Sequence, residues 1–436
     1  MFNDPCLEPL FPRKHLSELQ TALGTKTLYN SVCACNRCGV CAAVCPTYQL
    51  YHQENFSPRG RNQILRLCLE GKIKLNKKNR VLHEALISCT LCGRCNEVCA
   101  AQVPTAQHVL EMRRALGLRV LPRLLQRFLQ LRDNKPRLFN ALARISLILR
   151  RLWVVKIAWL LQITHLPGLT WINHLDDILP ARIIPLAKVL ANANVQANQE
   201  NPELIYLPSL EAEFILPDIA LDTLRLAQKK YRTATWQNTT TGLFSYVYGD
   251  LRQSRKMLRK LLARHAKTGN GKLPLLTDSI DVYLFLKRAP QLFSGRKLWQ
   301  KRAQDLAQNL LFVTDIFPVN TDDKTTQNPG PVQLEYSALF ERQGPAFEKA
   351  EKILAILFGK NFVKCFYTDA DTPAFGYTFV APKNATRMSL KTVEKIARSQ
   401  TQQVVTLSGL AALELAYALK KFYPAAQATH FVHVNR

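Results

Sequence analysis

The residues of this 436-residue chain best equipped for chemistry are its cysteines, and eight of the twelve fall into two tight groups. The first runs Cys35-Asn36-Arg37-Cys38-Gly39-Val40-Cys41-Ala42-Ala43-Val44-Cys45-Pro46. The second runs Cys89-Thr90-Leu91-Cys92-Gly93-Arg94-Cys95-Asn96-Glu97-Val98-Cys99-Ala100. Both space their thiols by two, two and three residues, as bacterial ferredoxins do. Soft thiolates suit iron–sulfur clusters or zinc. Zinc sites usually use two pairs with a longer gap, so the spacing argues for iron. Three close thiolates wrap one cubane while the fourth, at the start of a helix, reaches the other cluster. Cluster one would take Cys35, Cys38, Cys41 and Cys99. Cluster two would take Cys89, Cys92, Cys95 and Cys45. The expectation is two [4Fe–4S] clusters, with a set of buried free thiols as the bland alternative.

Two features depart from this pattern. Pro46 follows the fourth cysteine of the first group, but Ala100 stands there in the second, with Pro104 nearby. Its loss is expected to alter the local turn more than the ligation. Cys33 adds a thiol two residues before Cys35 and could compete as a ligand, although the spacing favours Cys35. Cys6, Cys68 and Cys365 lie apart and read as inert thiols.

The elements around these groups divide the chain into zones. Residues 1–112 are expected to form a helical, ferredoxin-like module with cysteine loops between helices, after a lead-in helix from His15 to Leu23. Between the groups, a helix starting near Arg61 would place Ile64, Leu65 and Cys68 on one apolar face. Arg59 and Arg61 lie close in sequence to cluster one, where a cation would offset its negative charge; two solvated arginines are the alternative. Residues 113–200 read as a basic amphipathic helical connector. Between Arg113 and Lys156 there are twelve Lys and Arg against one acid, Asp133. Arg119, Arg123 and Arg127 share a helix face, and Arg137, Arg144, Arg150 and Arg151 recur among leucines, followed by Trp153 and Trp159. Such helices can lie in a membrane interface or pack with a solvated basic face.

Residues 201–330 and 331–436 read as two related α/β half-domains. The first opens with the strand-like 203–210 and a helix around 215–231, then continues with 272–288. The second opens with 332–340 and a helix around 345–358, then continues with 402–421. The stretch 320–331 reads as a linker. The fold class is therefore α+β multidomain.

Composition sets outer limits. An apolar fraction of 47% is ordinary for a globular protein and excludes disorder or a disulfide scaffold for the whole. The formal charge of +27 favours an anionic partner. No stretch reaches the roughly 18 uninterrupted apolar residues of a spanning helix. The opening MFNDPCLEPLFPRK lacks the apolar core of a secretory signal, so a reducing, cytoplasmic setting is expected. A peripheral position on the inner face of the cytoplasmic membrane is compatible with it.

The run CNRCGVCAAVCPTYQLY, then SPRGR, an amphipathic helix and CTLCGRCNEVC resembles the iron–sulfur subunit of glycolate oxidase. Related subunits serve lactate oxidation and anaerobic glycerol-3-phosphate dehydrogenase, in a wider heterodisulfide-reductase-like group. The resemblance is specific over residues 30–112 and weaker beyond. It implies two C-terminal repeats, each with a cysteine after the first strand, a Cys-Cys-Gly and a Cys-x-x-Cys, together holding a further cluster or metal. Here those thiols are absent: Leu210, Thr240-Thr241-Gly242 and Ser279/Val282 take the first set of places. Ala338, Asp371-Thr372 and Leu407/Leu410 fall near the second. Cys365 is the only cysteine after Cys99, so no four-thiolate cluster can form there.

The resemblance thus implies an electron-transfer subunit of an oxidoreductase complex. An FAD-containing flavoprotein partner would oxidise a 2-hydroxy acid such as glycolate or lactate, and electrons would reach an acceptor such as membrane quinone. No Gly-rich dinucleotide motif appears, so the flavin is expected on the partner, and no residue of this chain reads as catalytic. Heterodisulfide reduction is disfavoured by the missing thiols. A non-catalytic assembly or membrane-anchoring subunit is the alternative. An iron–sulfur nucleic-acid protein would use the charge but leaves the C-terminal frame unexplained.

Overall fold

Caps and prolines set where the N-terminal helices begin. The computed structural model describes residues 28–74, 79–116, 184–318, 330–340, 344–364 and 381–434, Tyr377 and parts of 131–180. The first helices are α1 (Leu28–Cys33), α2 (Val40–Ala43) and α3 (Pro46–Tyr51), the last with Pro46 at its first turn. Helix α4 spans Pro58–Leu69, and the Ser57 Oγ accepts the Gly60 N–H at 2.9 Å. That cap supplies one of the acceptors that a helix start lacks. Helix α5 (Arg80–Ile87) starts the same way, with Asn79 Oδ1 accepting from Leu82 N. Helices α6 (Arg94–Glu97) and α7 (Thr105–Ala115) complete the module.

Leu65 and Cys68 of α4 are buried, as its apolar face predicts, and they pack with Leu28, Leu82, Leu86, Val109 and Leu110. A buried polar chain crosses this core. The His108 ring nitrogens meet Asn62 Oδ1 at 2.9 Å and Ser31 Oγ at 2.7 Å, and Asn62 Nδ2 donates to Thr105 Oγ1 at 2.9 Å. It ties α1, α4 and α7 together, and its members satisfy one another, as buried polar groups must.

The rest of the described chain holds two parallel four-stranded sheets. Strands β1 (Leu204–Leu207), β2 (Thr233–Thr235), β3 (Leu275–Thr277) and β4 (Leu310–Phe312) lie in the order β2-β1-β3-β4. Strands β5 (Val332–Glu335), β6 (Phe362–Val363), β7 (Gln403–Thr406) and β8 (Gln427–His430) lie in the order β6-β5-β7-β8. Parallel pairing requires crossovers, and helices such as Pro217–Gln228, Leu251–Lys267, Pro345–Phe358 and Gly409–Phe422 provide them. Helix-covered sheets bury both faces, so β1, β3 and β5 are buried at every position.

The expected mixture of helices and parallel sheet is present. The stretches 203–210, 272–288, 332–340 and 402–421 hold β1, β3, β5 and β7, and the sequence reading did not include β2, β4, β6 and β8. The linker 320–329, the lead-in helix and most of the basic connector, including Trp153 and Trp159, lie outside the described residues. Among the described residues no helix is long and apolar enough to cross a membrane.

The sheets meet at the carboxyl ends of their central strands. Ile280 N donates to Leu407 O at 2.9 Å. Asp281 accepts from Leu339 N at 2.9 Å and from Ser408 Oγ at 3.0 Å. His430 Nε2 lies 3.0 Å from Asp278 O. Leu204, Tyr206 and Phe312 share one apolar core with Val332, Leu334 and Val405. The N-terminal module joins this body through Phe340 N, which donates to Leu91 O at 2.8 Å, and through the Arg114 guanidinium, 4.2 Å above the Tyr246 ring.

Candidate metal centre

The two cysteine groups fold into matching loops. In each, the residue before the second cysteine is left-handed: Arg37 and Leu91 both have φ of 58°. The glycine after that cysteine is left-handed too, with φ of 89° at Gly39 and 76° at Gly93. Side chains with a Cβ rarely adopt this conformation, and such backbone is characteristic of functional loops. The glycine is the part of the motif that spacing alone does not explain. It turns the chain into the one-turn helices α2 and α6, which carry Cys41 and Cys95.

The fourth cysteines leave their groups differently. Cys45 sits at the N-terminus of α3. After Cys99 no helix begins. The chain turns through Ala100 and Gln102, which has φ of 50°, before α7 starts at Thr105. Cys99 Sγ accepts the Val103 N–H at 3.4 Å. The exchange of proline for Ala100 therefore accompanies a changed turn, as anticipated.

Four of the cysteines share one cavity, although among the described residues no three potential ligands stand close enough to hold a single metal ion. Cys45, Cys89, Cys92 and Cys95 line a single cavity of about 330 Å³ with Arg61 and Arg94. Burial pushes the Cys95 thiol well up, and the neighbouring Cys92, Cys89, Cys45 and Cys41 add to the shift. Around Cys41, burial and then the thiols Cys35, Cys45 and Cys99 act in the same direction, against the Arg59 backbone amide, and its pKa reaches about 11. Cys35, Cys45 and Cys99 are thus all within electrostatic reach of Cys41. Cys38 is exposed. Cys33 instead interacts with Tyr29, next to Arg66 and Glu70. Cys68 is buried in the apolar core, which raises its thiol to about 11. Cys6 and Cys365 lie outside the described residues.

The arginines correct the sequence reading. Arg59 is paired to Glu54 through Nε–Oε2 at 3.0 Å and Nη2–Oε1 at 2.7 Å. Arg61 is not solvated, and among the thiols it touches Cys45, the one cysteine of the first group that faces the second. It is 2% exposed and lines the second cavity. Its Nε donates to Ala85 O at 2.7 Å, its Nη2 to Thr47 Oγ1 and Ser88 Oγ at 2.9 Å each, and its Nη1 reaches Cys45 Sγ at 3.7 Å. Arg113, which the sequence reading placed at the start of the basic stretch, is also buried. It donates to Leu86 O at 2.6 and 2.9 Å, Ile87 O at 3.2 Å and Cys89 O at 2.6 Å.

A second recess lies in the first sheet's half. An open cleft of about 510 Å³ is lined by Leu210, Thr240, Thr241, Gly242 and Val282, with Arg132 and Glu211. These include most of the places where the resembled family would carry thiols in its first repeat. Ser279 is buried beside them and does not line the cleft. Ala338 and Leu407 are buried, Leu410 is partly buried, and Asp371 and Thr372 lie outside the described residues. One carboxylate, Glu211, lines the cleft, and the buried Asp278 and Asp281 act on it electrostatically. Asp278 accepts from Tyr206 Oη at 2.6 Å and Ser209 N at 3.0 Å, and burial raises it to about 6. Burial, and then the charges of Asp278 and Asp281, raise Glu211 to about 8. The sequence reading missed these acids, whose only signal was their position beside the expected thiol places.

Paired loops of this kind, with Cys45 of the first group lining one cavity with three cysteines of the second, suit an iron–sulfur-binding module. Residues 31–103 match the 4Fe–4S dicluster domain family. The chain is 35% identical over 122 residues to the glycolate oxidase iron–sulfur subunit of Escherichia coli, covering 27% of this chain and 29% of that protein. It is 28% identical over 146 residues to the probable glycolate oxidase iron–sulfur subunit of Bacillus subtilis, covering 31% and 32%. The resemblance read from the cysteine groups is therefore upheld, across about a third of each relative's length. No solved structure matches the chain at a significant level.

Proposed function

We propose that this chain is the electron-transfer subunit of a complex oxidising a 2-hydroxy acid such as glycolate or lactate, and that it carries two [4Fe–4S] clusters. The observation that carries the reading is that Cys45, from the first group, lines one cavity with Cys89, Cys92 and Cys95 of the second, while Cys99 lies within electrostatic reach of Cys41. The donor chemistry fits: four soft thiols line the second cavity, and the same spacing would supply four at the first. The buried guanidinium of Arg61 fits as well. A buried cation requires an anionic partner, and a thiolate-ligated cluster supplies one. When bound, the clusters supply one-electron transfer.

The chain's own residues do the rest. Cys35, Cys38, Cys41 and Cys99 would hold the first cluster; Cys89, Cys92, Cys95 and Cys45 would hold the second. The left-handed Gly39 and Gly93 shape the loops, and Arg61 fixes Cys45 relative to α5. The flavin belongs on a partner chain. An acceptor such as membrane quinone, and a site on the inner face of the cytoplasmic membrane, complete the proposal. The two sheets share one strand order, which supports reading them as degenerate copies that scaffold or dock. The test is anaerobic mixing of the full chain with a flavoprotein reduced by its 2-hydroxy acid. The visible absorption of the clusters should bleach in proportion to the flavin oxidised. Clusters that resist the reduced flavoprotein but yield to dithionite would favour the assembly or anchoring role.

A further inference from the structure

The two cysteine sites differ sharply in electrostatic surroundings. Around the second, Arg61 and Arg113 are 2% and 3% exposed. Among the described residues, Arg61 bonds to a carbonyl, two hydroxyls and the Cys45 sulfur, and Arg113 to the carbonyls of Leu86, Ile87 and Cys89. Among the described residues, neither has a carboxylate partner. Arg94, 1% exposed, lines the same cavity. Around the first site, Cys38 is open to solvent and the nearby Arg59 is neutralised by Glu54.

A buried cation without a counterion is costly, and thiolate-ligated iron–sulfur clusters are anionic, more so once reduced. Net charge, hydrogen bonds to sulfur and solvent exposure set their potentials. We propose that Arg61 and Arg113 are positioning residues that make the Cys45/Cys89/Cys92/Cys95 site the easier of the two to reduce, so that the chain's electron settles there. Reduction adds one negative charge to a site whose guanidiniums are already in place, so no proton has to enter. The Arg61 Nη1–Cys45 Sγ contact and the Arg113–Cys89 carbonyl bonds attach these charges to two of the four ligands. The module meets the sheets at this same loop, through Leu91 and Phe340, so the favoured site faces the C-terminal body.

The inference rests on the two-cluster reading above. Its test is an EPR-monitored dithionite titration of the anaerobic full chain, comparing wild type with Arg61→Lys and Arg61→Gln, with iron measured on each sample. In wild type the two sites should reduce at separate potentials, and the first signal to appear should be the one that survives in Cys99→Ser. Arg61→Gln should lower the reduction equilibrium of that site about tenfold or more, ~59 mV for one electron. The other site should stay put, and Arg61→Lys should restore most of the difference. Full iron with unshifted potentials in Arg61→Gln, or equal shifts in Gln and Lys, would overturn the inference while leaving the function standing. If Arg61→Gln fails to load iron, the order of reduction in wild type decides, and the exposed site reducing first overturns it. A wild-type chain that binds no iron would overturn both readings.

Discussion

Replacing Glu211 by Gln removes a buried ionisation while keeping the side chain's shape. Glu211 is 1% exposed, and among the described residues its Oε1 has no hydrogen-bond partner. Burial first, then Asp278 and Asp281, raise its pKa to about 8, whereas an unfolded Glu ionises near ~4.3. Because the folded value is the higher one, the proton-linked stability is complete below the unfolded pKa and is lost as pH rises through about 8. At about pH 6.5 the folded carboxyl still holds its proton by roughly 1.5 units, a contribution of about 2 kcal/mol that falls to almost nothing by about pH 9. Asp278, raised to about 6, has given up nearly all of its own contribution before this window opens. Wild type should therefore lose about 2 kcal/mol between these pH values, a fall in Tm of about 4–8 °C for a unit of this size. Glu211→Gln should show a flat profile and be the more stable protein at the alkaline end. Thermal unfolding followed by fluorescence of the buried Trp236 reads the half concerned. Equal pH slopes in the two proteins would refute the argument that this carboxyl is neutral in the fold.

Other outcomes follow from the module. Cys45→Ser should cost about half the iron and spare the site that includes Cys35, while Cys99→Ser should do the converse. Gly39→Ala would force a left-handed alanine whose Cβ meets Arg59 Nη1 at 2.6 Å. It should cost about 1–2 kcal/mol, visible as a lower Tm of the loaded protein. Burial holds His108 at about 3, below its unfolded value. Stability should therefore fall as pH drops below about 6.5, by up to ~1.36 kcal/mol per unit for this one group. His108→Gln should reduce that acid slope in denaturant titrations.

Much of the site was legible because its logic is local. The two-two-three spacing is fixed along the chain, and the proposed crossing of Cys45 and Cys99 follows from the reach of a fourth ligand. Pro345–Phe358 was legible too, since a long apolar period and an N-terminal proline agree. The short outer strands were not. Thr233–Thr235 and Phe362–Val363 are only three and two residues long, too short for any period, and pairing with β1 and β5 creates them. Arg61 misled because nearness in sequence was taken for nearness in space. Two residues along a helix turn a side chain by about 200°, so Arg59 faces the first loop and Arg61 the second. Glu211 and Asp281 went unread because their partners are remote in sequence: Asp281 accepts from Leu339 N and Ser408 Oγ, and Glu211 packs against Gly409.

The central claim is most directly tested by iron, acid-labile sulfide and zinc analysis of the full chain purified without oxygen, read beside its reduced-state EPR spectrum. The account predicts about eight iron and eight sulfide per chain, with signals from two coupled reduced clusters. Zinc without sulfide, or about four iron that Cys45→Ser and Cys99→Ser abolish alike, would contradict it.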